Sequence, residues 1–209
     1  MGTAVTPQRG TSQDEVMTDD PTADDGRTQR ERMLAGDLYQ ADDHQLQQES
    51  RRASRILDEY NRSTTGDVGD HREILERLLG ELGEESVIRP PLYCDYGFNI
   101  RIGERTFANF GLVALDVAPI TIGDDVQMGP NVQLLTPTHP VEPGPRRDKW
   151  EAGAPITIGD NVWLGGGVIV LAGVTIGENT VVGAGAIVTR DLPSNVVAVG
   201  NPARVVRSL

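Results

Sequence analysis

Residues 158–187 read I-G-D-N-V-W, L-G-G-G-V-I, V-L-A-G-V-T, I-G-E-N-T-V and V-G-A-G-A-I, successive units of six residues held in one phase. Upstream the same phase is carried by Ile122, Met128 and Leu134, and it continues through Ile158, Leu164, Val170, Ile176 and Val182 to Val188; Ile102 opens the same pattern two residues out of phase. Glycine often follows the aliphatic residue, and a small or β-branched residue often stands four places on. A period of six fits neither an α-helix nor an alternating strand. It fits a coil in which each unit makes one short strand and one turn. The aliphatic side chain then points inward, and Gly, Asn and Asp take turn positions where φ can be positive. Three units close a triangular coil of about 18 residues. Stacked coils bury a continuous aliphatic core, which accounts for an aromatic content of only 4%. The predicted fold class is mainly β, a parallel β-helix of hexapeptide repeats.

The repeat is interrupted twice. Two extra residues precede Ile122, and the phase is lost between Pro140 and Thr157. The longer break contains Pro143, Gly144, Pro145, Arg146, Arg147 and Lys149, a composition that predicts a loop extruded from the helix.

Outside the repeat the pattern changes. Residues 29–85 form a helical segment. Met33, Leu34, Leu38, Leu46, Ala53, Ile56, Leu57 and Tyr60 recur at helical spacing among Arg, Glu and Gln, and Ile74, Leu75, Leu78, Leu79 and Leu82 form a second stripe ended by Gly83. Residues 1–28 are polar, acidic and almost free of large apolar residues, the composition of a disordered tail. Residues 86–209 are assigned to the β-helix. The charge is unevenly shared: residues 1–85 hold 20 acidic and 10 basic side chains, residues 86–209 hold 11 and 9, and the whole chain of 209 residues carries −12. That balance disfavours a nucleic-acid partner. No apolar run long enough to span a membrane and no signal-peptide core occur, so a soluble, cytoplasmic protein without membrane contact is expected. Cys94 is the single cysteine, which excludes an internal disulfide framework and a cysteine-rich metal site.

Three histidines occur. His44 and His71 lie in the acidic helical segment and read as surface residues. His139 ends a hexad and opens the long interruption, where a loop leaves a rigid scaffold and functional groups tend to gather. An imidazole there is suited to general-base chemistry near neutral pH. Cys94 has no histidine beside it in sequence and reads as a small half-buried side chain rather than a nucleophile.

The repeated I-G-x-x-[VT]-x resembles the left-handed parallel β-helix of hexapeptide-repeat acyltransferases; the hand is implied by the resemblance, since left-handed crossovers are exceptions among parallel connections. Met33-Leu34-Ala35-Gly36-Asp37-Leu38-Tyr39 and Tyr60-Asn61 resemble the N-terminal segment of maltose O-acetyltransferases. So do Cys94 to Ile100, Ala108-Asn109-Phe110, Leu115-Asp116, Thr138-His139-Pro140, Asn161 to Gly166, and Gly200 to Arg204. The resemblance covers about residues 29–209 and extends to galactoside and nodulation O-acetyltransferases. It implies an acetyl-CoA-dependent enzyme, with no metal, built as a homotrimer with active sites between subunits and a maltose- or glucose-like sugar as acceptor.

The resemblance also implies roles. His139 is the base that deprotonates the acceptor hydroxyl, and Asn109 faces the site from the adjacent subunit. Asp116 and Asp95 match acceptor-side positions, though a turn aspartate explains either equally well. Val117 stands where galactoside-type enzymes have a second acidic residue, which leans towards the maltose type. Glu151 either orients His139 or is a solvated loop carboxylate. Trp163 is an interface anchor or a pocket wall, placed by the resemblance near the pantetheine arm. Gly165, Gly166 and Gly167 would let the backbone approach the thioester. Ala184, Thr189, Arg190, Arg204 and Arg207 resemble coenzyme A contacts, with Arg190 for the usual lysine. Three other readings stand beside this one. A non-sugar acceptor (an amine, an antibiotic or serine) is open, as is a non-catalytic scaffold. A β-helical zinc carbonic anhydrase needs three histidines where the repeat has one.

Overall fold

In a hexad coil each strand is too short to be stable alone, so its backbone groups must be met by the coils above and below. The computed structural model, which describes Thr22, residues 24–63 and residues 68–209 (the backbone alone for 68–70), is built on that requirement. Three parallel sheets form the faces of a prism. The first holds Glu81–Leu82, Ile100–Ile102, Ile120–Ile122, Ile156–Ile158 and Thr175–Ile176. The second runs from Val87–Ile88 through Phe107–Ala108, Gln127–Met128, Trp163–Leu164 and Val181–Val182 to Val196–Val199. The third holds Leu92–Cys94, Leu112–Leu115, Gln133–Leu135, Ile169–Leu171 and Ile187–Val188. The register places like on like. Ile102 pairs with Ile122, Ile122 with Ile158 and Ile158 with Ile176, while Met128, Leu164 and Val182 line up in the second sheet. All are buried.

Turn chemistry divides the glycines of the repeat into two kinds. Positive φ falls on Arg105, Asp125, Asn161 and Asn179, three places after the inward aliphatic, and on Gly111, Gly167 and Gly185 at the next corner. The glycine that directly follows the aliphatic has another reason. A Cβ on Gly159 would lie 2.7 Å from the Glu178 nitrogen, and one on Gly165 2.5 Å from the Ala184 nitrogen, so it is the spacing between coils that excludes a side chain. The next residue, often Asp, ties the coils together: Asp124 accepts the Glu104 N–H at 2.8 Å and Asp160 accepts the Asp124 N–H at 2.9 Å.

Both ends of the prism are covered. Three helices, α1 (Gln29–Ala35), α2 (His44–Arg62) and α3 (Val68–Leu78), close the first coil. Thr28 and Glu31 form a capping box on α1, Gly36 ends it at φ 80°, and the Asp43 carboxylate caps α2. Leu57, Tyr60, Leu75, Leu78 and Leu79 join the prism core. Asn61 treats the first strand of the third sheet as a neighbour would: its amide donates to Leu92 O and its carbonyl accepts the Leu92 N–H, both at 2.8 Å. Tyr60 donates its hydroxyl to Ile88 O. At the other end Arg204–Ser208 folds back antiparallel on Val196–Val199. No helix among the described residues is long and apolar enough to cross a membrane.

Two expectations change. Leu82, read as the end of a helical stripe, lies in the first strand of the prism and pairs with Ile102; α3 stops at Leu78. The loop after Pro140 is a folded hairpin. Pro137–Thr138 and Tyr39–Gln40 flank Trp150–Gly153 in an antiparallel sheet, with α4 (Pro143–Arg147) at the tip, and Ile156 rejoins the prism beside Ile120. The tail expected over residues 1–28 lies outside the described residues as far as 21 and at 23; Arg27 bridges Asp25 and Asp37 at 2.6 Å each. Because Leu164 is fully enclosed between Met128 and Val182, Leu164→Ala should lower unfolding free energy by about 2–5 kcal/mol in urea melts, far more than Leu171→Ala on the outer surface.

Candidate functional site

The corner between the third and first sheets is wider than the others in the first coils. Asp95 to Asn99 and Asp116 to Pro119 span it, and these coils repeat every 20 residues where later ones repeat every 18. Asp116 organises the bulge. It has no exposed surface, and its carboxylate accepts the backbone N–H groups of Asp95 at 3.1 Å, Tyr96 at 2.8 Å and Asn99 at 3.2 Å. Burial pushes this carboxyl above its ordinary range against the pull of those N–H groups. Asp116, read either as an acceptor-side residue or as a turn aspartate, directs its carboxylate inward, because the bulge exposes backbone donors that need an acceptor.

This corner carries the helical segment. Val117 packs with Met33, Tyr39, Leu46 and Tyr96 in a second apolar cluster. An acid in place of Val117 would be buried there without compensation. Gly153 is required opposite it, since a Cβ would approach the Val117 methyl to 2.7 Å.

His139 follows the strand Pro137–Thr138 on the same corner, with 57% of its side chain exposed. Its Nε2 lies 3.8 Å from the Glu151 carboxylate, which is only 17% exposed. A cleft of about 630 Å³ is lined by Ala41, Asp42, His139, Arg146, Lys149 and Glu151. One wall thus comes from the turn before α2 and the other from the hairpin. Arg146 braces the hairpin by donating to Pro140 O and Val141 O at 3.0 and 2.6 Å. Burial, then Asp116 and Glu151, push the Asp95 carboxyl up to about 6. Cys94 is also pushed up, mainly by burial, which keeps it a thiol.

The remaining expected residues lie on other parts of the prism. Asn109, Gly166 and Ala184 share the corner between the second and third sheets, where Gly111, Gly167 and Gly185 turn. The Asn109 carbonyl accepts the Phe110 N–H at 2.8 Å, and its NH2 makes no hydrogen bond among the described residues. Trp163 is 56% exposed on the second sheet, between Gln127 and Val181. Phe110, in the turn after Asn109, is exposed and stacked under Arg89 at 3.6 Å. Thr189 and Arg190 are exposed on the His139 corner further along the prism, and Arg204 and Arg207 lie on the returning C-terminal strand. Among the described residues these three arginines form no ion pair, unlike Arg27, Arg62, Arg72, Arg77, Arg101 and Arg105, which all do.

His139 and Glu151 lie 3.8 Å apart, while Asn109 and the glycines lie on a different edge. Tyr39, Ala41 and Asp42 were not singled out as site residues. Their place depends on Tyr39–Gln40 pairing with Trp150–Glu151, with Gln40 donating to Asp148 O across 108 residues. No local pattern reports a pairing of that range.

Comparison with known proteins follows these boundaries. The maltose acetyltransferase hexapeptide capping motif matches residues 32–83, and the bacterial transferase hexapeptide, six repeats long, matches residues 155–190. Nodulation protein L of Rhizobium meliloti (strain 1021) is 50% identical over 180 residues, 86% of this chain and 98% of its own. The crystal structure of a maltose O-acetyltransferase from Clostridium difficile 630 superposes with a TM-score of 0.86 at 43% identity, covering 88% of this chain and 98% of the other. A galactoside acetyltransferase in complex with coenzyme A gives 0.84 at 41% identity, covering 87% and 91%.

The raised Asp95 carboxyl has a measurable sign. The folded chain keeps a proton there between about pH 4 and 6 that the unfolded chain has released, so this group's stabilisation is lost as pH rises through that window. Asp95→Asn removes that loss. In denaturant titrations the variant should gain on the wild type between pH 4 and pH 7, and a constant difference would show that Asp95 does not titrate there.

Proposed function

From a chain that belongs to the hexapeptide-repeat acyltransferases, in their maltose and galactoside acetyltransferase group, we propose direct transfer of the acetyl group of acetyl-CoA to a sugar hydroxyl in a ternary complex. The observation that carries this reading is His139 beside Glu151 in an open polar cleft of a size suited to a small hydrophilic acceptor. The imidazole Nε2 takes the hydroxyl proton as the acceptor oxygen attacks the thioester carbonyl. Glu151 orients the ring and stabilises the imidazolium. The carbonyl oxygen becomes an oxyanion, and the Asn109 amide, with its NH2 uncommitted, is a neutral donor for it. Collapse breaks the carbon–sulfur bond, and the proton on His139 passes to the departing thiolate.

Asn109 reaches His139 only if two copies contribute, since each chain holds them on separate edges. We therefore assign the active unit as a homotrimer with the Asn109 edge of one subunit facing the His139 corner of the next. Trp163, exposed on the second sheet next to the Asn109 edge, and Phe110, exposed directly after Asn109, support that contact. Coenzyme A would run along the same seam. Gly166 and Ala184 permit close approach of the backbone, Trp163 walls the pantetheine arm, and Thr189, Arg190, Arg204 and Arg207 meet the adenosine and phosphates as cations not already neutralised. On the acceptor side Asp42 and Lys149 line the cleft, and Asp116 holds the Asp95 backbone N–H within the bulge of the same corner. Val117 within the apolar cluster favours a maltose- or glucose-like acceptor.

Thiol release from acetyl-CoA, measured against a panel of sugars and amines, tests the reading. Sugar-dependent release is expected, and His139→Ala should lower turnover by roughly 10²–10⁴-fold with an unchanged melting curve. Release with amines alone would overturn the sugar acceptor, and near-normal turnover in His139→Ala would remove the base. Replacing Arg190 or Arg204 by Ala should raise KM for acetyl-CoA while leaving KM for the acceptor alone; an unchanged KM for acetyl-CoA would displace the cofactor from this seam.

A further inference from the structure

Tyr39 is wholly buried, yet its hydroxyl makes no hydrogen bond of ordinary geometry. A buried unpaired hydroxyl costs about 1–3 kcal/mol, so its retention calls for a use. The ring itself is well packed against Met33, Leu46, Tyr96 and Val117. The residue directly across the antiparallel pair from Tyr39 is Glu151, the carboxylate that lies 3.8 Å from the His139 imidazole. Burial and then Glu151 hold the phenol well above its ordinary range, so it is a proton donor at every working pH. Asp95 and Tyr96 also face it.

We propose that Tyr39 is a positioning residue for the base, its hydroxyl donating to one oxygen of Glu151 so that the other is presented to His139. A carboxylate has two oxygens and can serve both donors at once. Glu151 is held by its strand between the two, and the separation from His139 is of the loose kind that closes when substrate binds. The helical segment then does more than cover the prism, because a residue between α1 and α2 aligns the catalytic imidazole through the hairpin. This rests on His139 acting as base, but its consequence can be read without any substrate.

The test compares wild type, Tyr39→Phe, Glu151→Gln and the double variant, all with the ring packing of position 39 retained. The His139 ring Cε1–H resonance, identified by its loss in His139→Ala, is followed by NMR. Glu151→Gln and Tyr39→Phe should each shift it, and the double variant should sit where Glu151→Gln does. In acetyl transfer Tyr39→Phe should lower kcat with KM for the acceptor unchanged, and should have no further effect once Glu151 is Gln. A resonance unmoved in Tyr39→Phe, or an equal shift in the presence and absence of Glu151, overturns the proposal. Absence of sugar acetylation with the expected resonance pattern would instead count against the proposed acceptor and leave the alignment standing.

Discussion

Strands of two to four residues cannot hold together sideways, so everything in this protein depends on the axial ladder of backbone hydrogen bonds between coils. The ladder demands an almost constant spacing, and that demand explains residue choices that hydrophobicity does not. Gly159 and Gly165 are glycine because a neighbouring coil occupies the space a Cβ would need. Asp124 and Asp160 are short acceptors because a backbone N–H of the adjacent coil arrives at that point. The ladder also leaves two open ends, and α1 to α3 and the strand Arg204–Ser208 close them.

The site arises where the ladder is locally relaxed. Two extra residues per coil widen one corner, and the widening exposes backbone donors that Asp116 gathers. The bulge then offers a surface to which the helical segment docks through Val117, Tyr96 and Tyr39, and the hairpin carrying Glu151 is clasped between that segment and the strand before His139. Rigidity comes from the prism and polarity from the inserted pieces. A positioned imidazole needs both.

Much of this was legible in the residues. The inward stacks at positions 122, 158 and 176 and the interruption after Pro140 follow from periodicity and its one long break. Other features could not be read locally, for identifiable reasons. Leu82 continues an amphipathic spacing, so local pattern assigns it to a helix, while pairing with Ile102 places it in a strand. Asp116 looks the same in sequence whether it faces a ligand or a backbone. Its inward direction follows from donors that lie 17 to 21 residues earlier.

The sequence by itself determined the coil: a period of six in aliphatic residues permits one inward stacking, and glycine and asparagine mark its turns. It also determined that charge is concentrated before the repeat, leaving Arg190, Arg204 and Arg207 in a nearly neutral body. Only the tertiary structure decided which residues share a site. His139, Glu151, Tyr39 and Asp42 come together through a pairing that spans more than a hundred residues. Asn109 and the glycine corner are held on another edge. The physical reason is that a hexad repeat specifies the direction of each side chain within its coil, while neighbours across corners are set by the pieces that interrupt the repeat and by where they find hydrogen bonds and cover.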